Sequence, residues 1–250
     1  MFNRNKLIGL KRPTTIIMLF FSLACGFSQM SWSYDNSPSR QIIILGDSTS
    51  AAYGMSREQG WVSLLSDYLG EHHQQKNYQV INASISGETT GGALSRLPKL
   101  LAQYQPAIVI IELGGNDGLR GYPITNFRDN LDQLVSLVKA NNASALLTGM
   151  QIPPNYGSRY TTMFYESYGI IAHKYQIPLV SFLLDEIAIY PELMQKDGIH
   201  PKASAQTQIL QNVLPQLQEL LWHCARRLPA SYSRKPPLNI VTGRRTWSPA

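Results

Sequence analysis

Five short apolar runs punctuate this chain, and between them apolar residues recur at helical spacing. The runs are QIIIL (41–45), YQVIN (78–82), AIVIIEL (107–113), SALLTGM (144–150) and PLVSFLL (178–184). A strand that reads apolar without alternation has both faces buried, which is the mark of a parallel sheet covered by helices on either side. The intervening segments are WVSLLSDYLGEHH (61–73), GALSRLPKLLAQY (92–104), NFRDNLDQLVSLVKAN (126–141) and MFYESYGIIAHKY (163–175), and KASAQTQILQNVLPQLQELLW (202–222) closes the series. Pro98 predicts a kink or a late start in the second helix, and Pro215 a local blemish in the last. The alternation predicts one α/β domain over residues 34–222, a three-layer α/β/α sandwich on a five-stranded parallel sheet. No internal repeat is visible.

The formal charge of +6 hints at nucleic acid, but its distribution argues against that. Of 22 cations, Arg4, Lys6, Lys11 and Arg12 stand at the start, and Arg226, Arg227, Arg234, Lys235, Arg244 and Arg245 in the last 28 residues, which hold no acid. The body between Tyr34 and Trp222 keeps 12 cations against 16 acids, a formal charge of −4. No nucleic-acid partner is therefore expected.

The first 33 residues predict a secretory signal: a basic start, the apolar stretch TTIIMLFFSLACGF (14–27), and small residues Ser31 and Ser33 before a cut ahead of Tyr34. The expected location is the periplasm or the exterior. The alternatives are an uncleaved anchor or a lipoprotein site at Cys25, against which Ser22 stands where leucine is usual. Removal of Cys25 with the signal leaves Cys224 as the one thiol, and a domain of roughly 190 residues needs no disulfide to be stable. Residues 223–250 mix proline, serine and arginine without apolar period and are expected to be a disordered basic tail, able to touch a membrane surface.

Ligands of open parallel sheets bind beyond the carboxyl ends of the strands. Polar clusters fall there after every predicted strand: GDSTS after the first, NASISGET (82–89), GGNDG (114–118), QIPPNYG (151–157), and DGIHP (197–201) after the fifth. Acyl transfer needs a nucleophile, a base, an orienter for the base and donors for the oxyanion. Ser48 is placed as a nucleophile where the chain leaves a buried strand, although a turn or helix-capping serine fits the same position. Of the five histidines, only His200 lies at this edge, with Asp197 three residues before it to hold its tautomer; the start of the last helix is an equally natural reading of that loop. Gly87 N–H, the Asn116 side-chain amide and Ser48 N–H are the candidate oxyanion donors, and a plain turn accounts for GGND as well. The chain lacks GxSxG, GxxxxGK[ST], HExxH and paired CxxC, so neither a nucleotide loop nor a metal is indicated.

Four blocks, ILGDSTSAAYGM, NASISGETTGGALSRLP, IIELGGNDGLRG and DGIHP, resemble those of the SGNH (GDSL-type) hydrolases, over residues 40–222. The likeness is strongest to the multifunctional thioesterase, lysophospholipase and arylesterase branch of bacterial periplasms. The resemblance implies a flavodoxin-like strand order 2-1-3-4-5. It implies Ser48 as nucleophile, Asp197 and His200 as its triad partners, and Ser48, Gly87 and Asn116 as oxyanion residues. It implies small acyl esters or thioesters, including lysophospholipids, as substrates, no cofactor and a monomer. Asp47 matches an aspartate read here as structural support, and Thr49 replaces a common leucine. For an acyl chain, Leu119, Tyr122, Ile152, Pro153 and Tyr156 are the expected apolar trough, with ordinary loop packing as the other account of each. Two further functions share the fold, a carbohydrate O-acetylesterase and a non-catalytic binding protein. The apolar loop residues favour long acyl groups over the first. The Asp–His pair, which a phosphate or flavin site does not need, argues against the second.

Overall fold

The computed structural model describes residues 40–226. Five parallel strands make one sheet: β1 (Arg40–Gly46), β2 (Tyr78–Asn82), β3 (Ile108–Glu112), β4 (Ser144–Thr148) and β5 (Leu179–Val180), in the order β2-β1-β3-β4-β5. Parallel register pairs Ile42 with Val80 on one side and with Ile108 on the other, so β1 is central to the half of the sheet that carries the first loop. Ile42, Ile43, Ile44 and Leu45 are all fully buried, which requires cover on both faces of the sheet. Burying each such side chain stabilises the fold by about 1.5–3 kcal/mol.

That cover comes from six helices: α1 (Trp61–His72), α2 (Thr90–Tyr104), α3 (Gly115–Leu119), α4 (Ile124–Ala140), α5 (Ser158–Tyr175) and α6 (Gln206–Arg226). α1 packs beside α6, whereas α2, α4 and α5 lie side by side. The apolar stripe of α4 shows why: Phe127, Leu131, Leu134, Val135 and Val138 are all buried and follow the helical period.

Five expectations are corrected. α2 begins at Thr90, two residues before the predicted start, with the Thr89 hydroxyl accepting from Gly92 N–H as its cap. Pro98 does not delay it; the residue is exposed, so water can take the carbonyl that the missing N–H leaves free. α5 begins at Ser158 rather than 163, because none of residues 158–163 is fully buried and they carry no apolar period to read. The fifth strand is two residues long, not the seven of PLVSFLL. Leu183, Leu184 and Ile187 are buried from turns instead, so their apolarity signals burial and not extension. α6 starts at Gln206, after a short 3-10 turn at Ala203–Ala205, and runs to Arg226, four residues into the segment expected to be tail. The predicted signal segment 1–33 and the remainder of the tail lie outside the described residues.

Among the described residues, no helix is long and apolar enough to cross a membrane.

Candidate active site

The site starts at the end of β1. Gly46 closes the strand under the carboxyl of Glu112, the last residue of β3, and a Cβ there would lie 2.7 Å from Glu112 Oε2 and 2.8 Å from Ser50 Cβ. Only glycine fits between them. Glu112 is fully buried and accepts from Ser50 Oγ (2.7 Å) and from Asp47 N–H (3.2 Å). Ser50 in turn accepts from Trp61 Nε1 (3.2 Å). Burial, with the neighbouring Asp47 adding to it, pushes the Glu112 carboxyl well above the usual carboxylate range. The sequence reading missed this buried chain of polar groups. The signal was present as one acid at the end of an otherwise apolar strand.

The loop so anchored presents Ser48, half-buried, to the far edge of the sheet. Its Oγ lies 2.8 Å from His200 Nε2, and His200 Nδ1 lies 2.7 Å from Asp197 Oδ2. Asp197 Oδ1 also accepts from the N–H groups of Ile199 (2.9 Å) and His200 (3.0 Å). Burial alone would raise the Asp197 carboxyl. The hydrogen bonds from the backbone and imidazole of His200 and from Ile199 outweigh it and bring the group down to about 2. Since Asp197 is ionised, Nδ1 of the neutral imidazole carries the proton and donates to it. Nε2 is then left to accept from the Ser48 hydroxyl.

His200 itself is held by a tight turn rather than by the start of a helix. Met194 and Pro201 form an antiparallel bridge, Gln195 N–H donates to the His200 carbonyl (2.7 Å), and Lys202 N–H donates to the Leu193 carbonyl (2.7 Å). Ser48 and His200, 152 residues apart in the chain, thus meet between two rigid loops.

The three candidate donors come from the same edge. Gly87 has φ +81°, a conformation that side-chain-bearing residues rarely adopt, and its carbonyl accepts from Arg120 Nη2 (3.0 Å). A Cβ there would meet only Arg120 at 3.8 Å, so backbone conformation and not lack of room demands glycine. Asn116, in the first turn of α3, gives one amide hydrogen to Asp47 Oδ2 (3.2 Å), which aligns the side chain and leaves the second hydrogen for another acceptor. Among the described residues, the N–H groups of Ser48 and Gly87 have no acceptor. The Gly87 and Asn116 loops are joined beneath by Asp117, which accepts from Thr90 N–H (3.0 Å) and Thr90 Oγ1 (2.6 Å).

Asp47 is the support expected of it. Almost fully buried, its carboxyl is pushed up by burial to about 6. It is pulled the other way by Thr49, through N–H and hydroxyl, by the nearby His200 and by Asn116. Thr49 thus contributes a hydroxyl to a buried carboxylate, which a leucine at this position lacks. The sign of the pH effect follows. The folded state keeps a proton on Asp47 between about pH 4 and 6 where the unfolded chain has lost it, so stability falls as pH rises through that window, by up to about 3 kcal/mol. In urea titrations from pH 4 to 7, the stability of Asp47→Asn relative to the native chain is expected to climb by about 2–3 kcal/mol. A pH-independent difference would exclude a raised Asp47.

The residues expected to form the acyl trough are placed unequally. Tyr156 Oη donates to the Leu119 carbonyl (2.7 Å), which brings the loops after β3 and β4 together. Leu119 is partly buried, while Tyr122 and Pro153 are exposed. Ile152 belongs to the core, where its Cγ2 would lie 2.6 Å from a Cβ at Gly118. Beside this corner, Tyr156, Tyr160 and Met163 line an open depression of about 540 Å³. Among the described residues, no three His, Cys, Asp or Glu side chains are grouped so as to hold a metal ion.

Relatives of this chain are found by sequence and by structure. An arylesterase of Vibrio mimicus is 44% identical over 207 residues, covering 83% of this chain and 96% of its own. The protein called thioesterase 1/protease 1/lysophospholipase L1 of Escherichia coli K12 is 44% identical over 182 residues, covering 73% and 85%. The psychrotrophic esterase EstA of Pseudoalteromonas sp., in a structure inhibited by monoethylphosphonate, superposes with a TM-score of 0.68 at 46% identity over 73% of this chain and 98% of its own. Residues 44–207 match the family described as GDSL-like Lipase/Acylhydrolase, and with most of the chain so matched, it belongs to that family.

Proposed function

We propose that this chain is a serine hydrolase of carboxylic esters and thioesters, with Ser48 as nucleophile, His200 as general base and acid, and Asp197 as orienter. The observation that carries the reading is the unbroken line from Asp197 Oδ2 to His200 to Ser48 Oγ, at 2.7 and 2.8 Å. His200 Nε2 takes the Ser48 proton as Oγ attacks the acyl carbonyl. The oxyanion is met by Ser48 N–H, Gly87 N–H and the free amide hydrogen of Asn116. His200 returns the proton to the leaving alcohol or thiol, and a water activated the same way releases the acid. The names of the relatives support aryl esters, thioesters and lysophospholipids as substrate classes. Leu119, Tyr122, Ile152, Pro153 and Tyr156 are proposed for the acyl chain, and the half-buried corner joined by Tyr156 and Leu119 supports those two. The basic, apolar and small-residue order of residues 1–33 supports export with cleavage near Ser33, and the acid-free cationic tail supports contact with an anionic membrane surface.

The test is an ester series from p-nitrophenyl acetate to palmitate, with the enzyme then titrated by a phosphonate inhibitor and digested for mass spectrometry. Turnover across the series and a single adduct on Ser48 are expected. An adduct elsewhere, or inactivity at every length, refutes the reading. Activity confined to acetate favours the O-acetylesterase.

A further inference from the structure

Tyr53 follows Ser48 by five residues and takes no part in the scheme above. Its N–H donates to the Ser48 carbonyl (3.0 Å), and its own carbonyl accepts from Gln195 Nε2 (2.8 Å). The same amide donates to the Pro201 carbonyl (3.1 Å). The residue is therefore fixed to both the Ser48 loop and the His200 turn. Its ring centroid lies 4.5 Å from that of His200, the planes tilted by 39°, yet half of the side chain is exposed. A ring kept against an imidazole and open to solvent on its other side is a surface for something else. Ile199, the residue before His200, is also exposed.

What meets that surface follows from the chemistry of the step. When the tetrahedral adduct collapses, the bond from carbon to the leaving oxygen breaks, its electron pair goes to that oxygen, and the proton on His200 Nε2 is transferred there. The leaving oxygen must then stand within about 3 Å of Nε2. A group carried on it comes within reach of a ring centred 4.5 Å from the imidazole. The acyl group stays on Ser48 and lies elsewhere. We propose that Tyr53 is the leaving-group surface and selects aromatic over aliphatic alcohols. An aromatic leaving group gains an offset or edge contact with the Tyr53 ring that an alkyl group of equal acidity does not. The proposal rests on the roles given above to Ser48 and His200.

The effect belongs to acylation alone, because the leaving group has gone when water attacks. This separates recognition from mere packing of the imidazole, since His200 serves both steps. The full chain is assayed for kcat/KM on phenyl acetate and on a fluoroalkyl acetate whose alcohol matches phenol in acidity, with acetyl-enzyme hydrolysis followed by stopped flow. Tyr53→Ala is expected to lower the ratio of phenyl to fluoroalkyl kcat/KM on the order of fivefold. Acetyl-enzyme hydrolysis, common to both esters, changes by less than that factor, and Tyr53→Phe keeps the native ratio. Tyr53→Leu replaces the alanine variant if the latter does not fold. Equal loss on both esters, matched by slower acetyl-enzyme hydrolysis, overturns the proposal and leaves Tyr53 as packing. Ser48→Ala separates the two failures. If it is inactive while the Tyr53 ratio stays fixed, only the leaving-group assignment falls. If it keeps native rates, the mechanism itself falls.

Discussion

Replacing Ser48 by alanine is expected to lower kcat toward p-nitrophenyl esters by on the order of 10⁵- to 10⁶-fold. Among the described residues, Ser48 Oγ is the hydroxyl hydrogen-bonded to His200, whose Nε2 sits 2.8 Å away. The remaining turnover comes from the oxyanion donors and from binding, which the substitution leaves in place, so KM is expected to move little. The fold is not at risk. The Ser48 hydroxyl bonds to His200, whereas the loop is held by Asp47, Ser50 and Glu112. Progress curves at high enzyme concentration, with unfolding in urea as the control, decide the matter. Activity within about a hundredfold of native, with contaminating esterase excluded, would mean another nucleophile.

Asp197→Asn is expected to lower kcat by about 10³- to 10⁴-fold while the turn keeps its shape. The asparagine carbonyl can still accept from the N–H groups of Ile199 and His200, as Asp197 Oδ1 does now. Its amide, however, faces His200 Nδ1, 2.7 Å away, as a donor. The imidazole must then carry its proton on Nε2, which makes that nitrogen unable to take one from Ser48. The pH profile distinguishes this from simple damage. Asp197 is held down to about 2, so its own titration lies far below the working range and does not shape the native acid limb. Steady-state kinetics and the NMR shifts of the His200 ring nitrogens check both points. A native-like rate with Nε2 unprotonated would refute the tautomer argument.

The parts of this architecture that were legible in the sequence are those written in local pattern. The strand YQVIN reads as 78–82 and is Tyr78–Asn82, because polar residues bound it on both sides. PLVSFLL reads as a long strand and is not one, because apolarity reports burial and Leu183 and Leu184 reach the core from turns. Pro98 and Pro215 are both exposed within helices, a matter of which way a helix faces and invisible without its neighbours. In the site, Ser48, Gly87, Asn116, Asp197 and His200 stood out by residue type at strand ends. Tyr53, Gln195, Ser50 and Glu112 did not, since their importance lies in contacts over long stretches of chain, 62 residues between Ser50 and Glu112 and 142 between Gln195 and Tyr53.

The sequence by itself determined a parallel α/β sheet with five polar loops beyond its strand ends, because continuous apolar runs and helical spacing are local consequences of burial on two faces. The tertiary structure decided the rest. It chose which loop residues touch, put an ionised Asp197 and a Ser48 hydroxyl on opposite nitrogens of one imidazole, and pushed two carboxyls up by burial beneath the first loop. Distance and desolvation set the chemistry of a titratable group, and both are properties of neighbours that only folding brings near.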